Sequence, residues 1–232
     1  MKIRTLDSRL LSAARFVRQG AVFADIGTDH AHLPIFLLKE RIISRAVLSD
    51  INRGPLESAR DNLSGAGLLS CVDLRLTDGA RELSGLGITD AAICGMGGEL
   101  IARIIKDAPW LCDGDIRLIL QPMTRVAHLR RALASMGFKI EGETHSEADG
   151  KNYVTICASY DGCVREITDI EAEIGEGFID NDNKSAQISY FERKRTAFLK
   201  VIDEKHRAGI EVEREAEILS AIEKRLALIS GR

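Results

Sequence analysis

Short, continuously apolar runs that alternate with helical patterns constrain this chain more than any other feature. Val22-Phe23-Ala24-Asp25 precedes a helical pattern from His32 to Lys39, and Ala46-Val47-Leu48-Ser49-Asp50 precedes another from Pro55 to Ala66. Val72 to Leu76, Ala91 to Cys94 and Leu118 to Gln121 continue the series, the last two followed by helical patterns over Glu99 to Lys106 and Val126 to Met136. Strands that are apolar on both faces must be covered on both faces, which helices returning between parallel strands achieve. The pattern predicts a doubly wound α/β sheet.

The alternation stops after Gly137. Phe138 to Glu143 and Tyr153 to Tyr160 read as two strands joined by the polar turn Glu147 to Lys151, too short for the crossover that a parallel pair needs. A parallel sheet closed by an antiparallel hairpin is the layout of Rossmann-like class I methyltransferase folds, a fold-level analogy. Before the sheet, Leu6, Leu10, Ala14 and Val17 fall at helical spacing behind Thr5 as a possible cap. After it, two helical stretches, Ser185 to Arg207 and Ile210 to Ser230, are separated by Ala208-Gly209. Leu219, Ile222, Leu226 and Ile229 form a heptad seam that Ile188, Phe191, Phe198 and Ile202 can face, which predicts a two-helix coiled-coil hairpin. The expected domains are 1–163, a Rossmann-like unit that folds without the tail, and 164–232, the helical hairpin.

Composition matters mainly for what it excludes. With 45% apolar and 29% charged residues in 232, the chain can bury a core, and charges interrupt every apolar run well short of a membrane helix. Five cysteines form no CxxC pair, so neither a disulfide framework nor a zinc cluster is expected, and a reducing cytoplasm fits. A net charge of −3 implies no nucleic-acid ligand by itself, yet Lys2, Arg4, Arg9, Arg15 and Arg18 face a single acid, Asp7, within the first twenty residues.

The chemistry is concentrated after the strands. Asp25-Ile26-Gly27-Thr28-Asp29-His30 lacks the G-x-G-x-x-G of a dinucleotide site, because Asp29 and His32 stand where the second and third glycines would be. A carboxylate there repels a pyrophosphate and suits a cationic ligand, so the Asp25-x-Gly27 turn favours S-adenosylmethionine, which carries an ammonium and a sulfonium and no phosphate. Asp50, at the next strand end, can accept the hydroxyls of a ribose. Asp78-Gly79, after the third strand, can take an adenine amino group with a backbone donor beside it. Cys94-Gly95-Met96-Gly97-Gly98 leaves backbone at Gly95 open to a flat ring. His30 and His32 at i, i+2 near Asp29 point apart, so no metal is expected.

Asp25-Ile26-Gly27-Thr28-Asp29-His30-Ala31-His32-Leu33-Pro34, Gly54-Pro55-Leu56, Asp78-Gly79, Gly95-Met96-Gly97-Gly98 and Gln121-Pro122 closely resemble the bacterial TrmK family. The resemblance runs in order from Leu6 to about Tyr153 and extends in architecture to the tail. It implies a tRNA methyltransferase that uses S-adenosylmethionine to modify N1 of adenine 22; a monomer is expected, and from the interrupted apolar runs no membrane contact. Adenine N1 has a free lone pair, so the implied catalysis is alignment and charge tolerance rather than proton abstraction. Asp29 is the expected acceptor from the adenine amino group, with Met96 and Tyr153 as walls around a base that has left its stack. The expected RNA contacts are Arg4, Arg9, Arg15 and Arg18, then Arg125 and Arg130 with Arg131, then Arg193, Lys194 and Arg195 on the tail. Competing readings are a small-molecule methyltransferase whose helical tail closes its pocket and a non-catalytic nucleoside-binding scaffold. Steep salt dependence of binding separates RNA from a small molecule.

Overall fold

The computed structural model describes residues 6–175 and 183–231. The elements run α1 (Ser8–Ala14), β1 (Val22–Ile26), α2 (His32–Lys39), β2 (Arg45–Asp50), α3 (Arg53–Gly65), β3 (Val72–Leu76), β4 (Asp90–Gly97), α4 (Gly98–Lys106), β5 (Arg117–Thr124) and α5 (Val126–Ser135). They continue with β6 (Phe138–Ala148), β7 (Lys151–Tyr160), α6 (Asp169–Ile174), α7 (Lys184–Arg207) and α8 (Glu213–Ser230). The sheet order is β3-β2-β1-β4-β5-β7-β6. Strands β1 to β5 pair in parallel, and β7 runs against both its neighbours. This is the α/β Rossmann-like methyltransferase architecture with its terminal hairpin. The order reverses between β1 and β4, and open sheets of this kind bind ligands at such a switch point, beyond the strand carboxyl ends.

Strand alternation divides the core into two layers. Leu118 and Leu120 face Ile101, Ile105, Leu129 and Leu133, while Ile119 between them joins Phe23, Leu48, Leu10, Leu37 and Leu63 on the other face. Helix α1 is therefore part of the second layer. Its cap is Asp7, which accepts the Leu10 amide at 2.7 Å; Thr5, the expected cap, lies outside the described residues.

The hairpin is longer than the sequence reading. Its turn is two residues, Asp149 and Gly150, both at positive φ (49° and 67°), the geometry that matches strand twist in tight hairpins. The strand continues past Glu143 because Thr144, His145 and Ser146 are buried. Ser12 of α1 bonds Thr155 at 2.7 Å on one side. Tyr190 and Phe191 of α7 pack on the His145 ring on the other. Burial and nearby positive charge push the His145 pKa down to about 3, so it is neutral.

The tail contains α7 and α8 as a helical hairpin around Phe191, Ile218, Ile222 and Leu226, with Ile218 in the seam position expected of Leu219. It also contains α6, which the sequence reading missed, opened by a capping box between Thr168 and Glu171. Two predicted RNA contacts are structural here. Arg130 is 1% exposed; its guanidinium grips the buried Glu143 carboxylate at 2.8 and 2.6 Å and donates to Ala172 O at 2.7 Å. Arg131 pairs with Asp169, which also holds Arg214 of α8. A buried cation requires such partners, so this cluster docks the tail rather than phosphate. Residues 1–163 do not carry their own complete cover, since removing α6 and α7 uncovers Arg130, Glu143 and His145. Among the described residues, no helix is long and apolar enough to cross a membrane.

Candidate active site

Strand β1 ends in a turn that only glycine fits. Gly27 has φ +77°, and a Cβ there would lie 1.9 Å from the Met96 methyl carbon, so the Met96 side chain stands directly over the turn. The Gly27 and Thr28 amides both donate to Ser49 O, at 2.8 and 3.0 Å, which ties the turn to the end of β2. The Thr28 hydroxyl is buried with no hydrogen-bond partner. The loop ends at Ala31, held at φ 55° as the first residue before α2. A left-handed alanine is strained by about 1–3 kcal/mol, a cost that clusters at ligand sites.

Four of the predicted carboxylates meet along this edge. Asp25 is buried, and its pKa rises from 3.8 to about 6, chiefly by loss of hydration. The Thr28 hydroxyl, close by but outside hydrogen-bond geometry, pulls the value down, Asp50 raises it, and Arg9 lowers it. Asp50 is half-buried and accepts the Asn52 amide at 2.7 Å. Its carbonyl accepts from Thr77 at 3.0 Å, joining the ends of β2 and β3. Asp78 is exposed and 3.6 Å from Arg81; Gly79 beside it has φ +64° and would place a Cβ 3.3 Å from Ile104. Asp29 is 75% exposed and lies 3.3 Å from His30. Among the described residues, no group of three or more His, Cys, Asp or Glu is placed to hold a metal ion.

The glycine cluster after β4 divides its work. Gly95, at φ +80°, has open space where a Cβ would go. Gly98 instead admits the backbone of the next strand end, since a Cβ would sit 2.5 Å from Arg125 O. Arg125 is itself left-handed, at φ 58°. The Gly97-Gly98 pair is thus a packing requirement rather than a ligand surface. Cys94 carries a thiol pushed up to about 12 by burial and by Asp25, so it supplies no nucleophile near neutral pH.

Gln121 organises the rest of the edge. Fully buried within β5, its Nε2 donates to Arg9 O at 2.8 Å and Thr155 Oγ1 at 2.8 Å, and its Oε1 accepts from the Arg9 guanidinium at 3.2 Å. That clamp fixes α1 across the sheet and sets Arg9 over the Tyr153 ring, 5.7 Å from its centroid. Tyr153 is buried, with this cation on it. Sequence alone places Arg9 among the phosphate contacts and gives Gln121 no role. A polar residue directly after the apolar run Leu118-Ile119-Leu120 is the signal for it.

The remaining RNA candidates separate. Arg4 lies outside the described residues. Arg15 and Arg125 are exposed, Arg125 3.7 Å from Glu99. Arg18 is a correction. It sits at the opposite, amino edge of the sheet, where it bonds the fully buried Asp90 twice at 2.7 Å and also donates to Thr89 O and Asp115 O. Arg193 donates to Gly150 O at 2.7 Å. Lys194 is only 14% exposed and pairs with Glu173 at 2.6 Å, which holds α7 to α6, and Arg195 pairs with Glu192 at 3.0 Å.

Comparison with known proteins agrees with this geometry. A family model described as a methyltransferase domain matches residues 6–156. The tRNA (adenine(22)-N(1))-methyltransferase of Bacillus subtilis (strain 168) is 38% identical over 165 residues, covering 68% of this chain and 69% of that protein. A putative tRNA (m1A22) methyltransferase of Streptococcus pneumoniae, solved in complex with S-adenosyl-L-methionine, superposes with a TM-score of 0.80 at 29% identity, covering 96% of this chain and 100% of the other. TrmK of M. capricolum, solved with S-adenosyl-homocysteine, gives a TM-score of 0.76 at 27% identity, covering 97% and 100%.

Proposed function

The chain belongs to the bacterial tRNA (adenine(22)-N(1))-methyltransferase family, and from that premise we infer that it transfers a methyl group from S-adenosylmethionine to N1 of adenine 22 in tRNA. The observation that carries the reading is the row of carboxylates at successive strand ends around a glycine turn. It rejects a pyrophosphate and accepts a cationic nucleoside.

The residues present fit S-adenosylmethionine. The Gly27 cradle would be filled by any side chain, the Thr28 hydroxyl is buried and unanswered, and Gly95 borders open space. In this reading Asp25 and Thr28 hold the methionine ammonium end, Asp50 the ribose hydroxyls, and Asp78 with the Gly79 amide the adenine. The Met96 side chain vacates the space over Gly27 when the site fills. The cofactor supplies, when bound, an electrophilic methyl group on a sulfonium. The protein's own work is placement: Tyr153 and Met96 confine the target ring, and Asp29 accepts from its amino group, selecting adenine and offsetting the charge the ring gains. No base is needed, which agrees with neutral His145 and the inert Cys94 thiol. Arg15, Arg125 and Arg193 are the exposed cations that contact phosphate. We place the activity in the cytoplasm, where unpaired cysteines and a tRNA substrate both belong, and assign catalysis to 1–163 with the helices of 164–232 as its RNA-facing wall.

The test is incubation with labelled cofactor and unmodified bulk tRNA, followed by nucleoside analysis. Label in 1-methyladenosine, mapped to position 22, is the expected result. Label in another nucleoside, or none in tRNA, would overturn the assignment.

A further inference from the structure

We propose that the cleft between the β6–β7 hairpin and α7 is the seat of one nucleotide of the tRNA, the neighbour of the target adenine. This rests on tRNA being the substrate and adds where the strand beside the target is held. The cleft has a volume of about 450 Å³, within the roughly 300–1,000 Å³ usual for small-ligand sites. It adjoins the transfer site. Met123 on its rim follows Pro122, which pairs with Met96 across β4 and β5, and Met96 is the residue over Gly27. Tyr153 belongs to both, lining the cleft while Arg9 lies over its ring.

The lining specifies an anionic, flat ligand. Lys151, Arg193 and Lys194 bring three cations, and only Lys194 is answered by a carboxylate among the described residues. Arg193 spends one donor on the neutral Gly150 carbonyl and keeps its charge. Lys151 is exposed. Asn152 takes the Ser189 hydroxyl on its Oδ1 at 3.4 Å, while its Nδ2 is buried with no partner, an orphaned donor waiting for an acceptor. The Tyr153 ring is already covered by Arg9 and the Tyr190 ring by His145 and Lys194, so the apolar surface left open on the rim is the exposed Met123 thioether. Two unneutralised cations and a free amide donor suit a phosphate and its sugar, and the thioether gives the attached base an apolar contact. A base presented through N1 must leave its stack, which strands its neighbour. A seat for that neighbour beside the transfer site stabilises the unstacked strand, and it is built jointly by the sheet and the tail.

The test uses the full chain. In Lys151→Ala/Arg193→Ala, tRNA affinity falls about tenfold at low salt, and the plot of log affinity against log salt becomes shallower by about two. S-adenosylmethionine affinity by calorimetry stays the same. Lys151→Glu, at an exposed side chain with no ion pair among the described residues, keeps the test decisive should loss of Arg193 loosen the hairpin; it weakens tRNA binding with an unchanged melting temperature. Unaltered tRNA affinity and salt slope in both variants, with wild-type protein still forming 1-methyladenosine, would overturn the cleft alone. Weakened binding in the variants, with wild-type label in some other nucleoside, supports the cleft and overturns the activity.

Discussion

At the amino edge of the sheet Asp90 is fully buried and fully answered: the Arg18 amide and guanidinium both reach it at 2.7 Å, and the rest of that guanidinium is absorbed by two carbonyls. At the carboxyl edge Asp25 is almost as buried, yet the groups acting on it are the Thr28 hydroxyl, a second carboxylate, Asp50, and Arg9, and its pKa still rises. The two aspartates show how one sheet divides its labour. The amino edge satisfies charge completely and contributes stability. The carboxyl edge leaves a buried carboxyl beside a second carboxylate, and the crowded Gly27 turn, in states that a compact protein normally avoids. Ligand binding is what can relieve them.

Three experiments sharpen that contrast. Gly27→Val should abolish cofactor binding, because a side chain there takes the cradle and is strained at a φ of +77°. Calorimetry with undiminished affinity would remove the turn from the site. Arg18→Ala should cost about 3–5 kcal/mol of stability by stranding a buried carboxylate. Its cofactor affinity, measured below the lowered melting temperature, should match the wild type; a loss in affinity without a loss in stability would erase the distinction between the edges. The smallest effect concerns pH. A carboxyl raised from 3.8 to about 6 holds a proton in the folded state that the unfolded chain has released, so between these values it subtracts stability as pH rises. A cationic ligand prefers the ionised form. Cofactor affinity should therefore rise up to about tenfold per pH unit below the native pKa of about 6 and level off above it, and Asp25→Asn should flatten the profile. A native profile already flat from pH 5 to 7 would detach Asp25 from the ligand.

What was legible in the sequence follows from period and punctuation. Continuous apolar strands, the Gly27 turn and the carboxylates after β1, β2 and β3 are local signals, and the structure places them along one edge. The failures are residues whose environment is made by distant chain. Thr144 to Ser146 fell outside the predicted strand because their burial comes from α1 and α7. Arg130 and Arg18 read as nucleic-acid contacts because nothing local announces Glu143 or Asp90 as partners. Helix α6 is six residues with one buried alanine, too short to show a period. The Ile218 seam position was displaced by one because Leu219 satisfies the same heptad spacing. Lys151, in the cleft, is part of the polar turn in the sequence, and nothing local marks Asn152 beside it.

The Gln121 clamp has a consequence for synthesis. Helix α1 leaves the ribosome ahead of the sheet, yet the side chain that locks it is 112 residues behind Arg9, and Thr155 is 143 residues behind Ser12. At ordinary elongation rates of about 5–20 residues per second, the opening helix waits on the order of ten seconds for its partners. For that interval its apolar face, Leu10, Ala13 and Ala14, has only the first strands and helices of the sheet to lean on. The residue that ends up over Tyr153 is thus made before its partners, and a nascent chain stalled before β7 would hold Arg9 through Gln121 alone, without the Tyr153 ring beneath it.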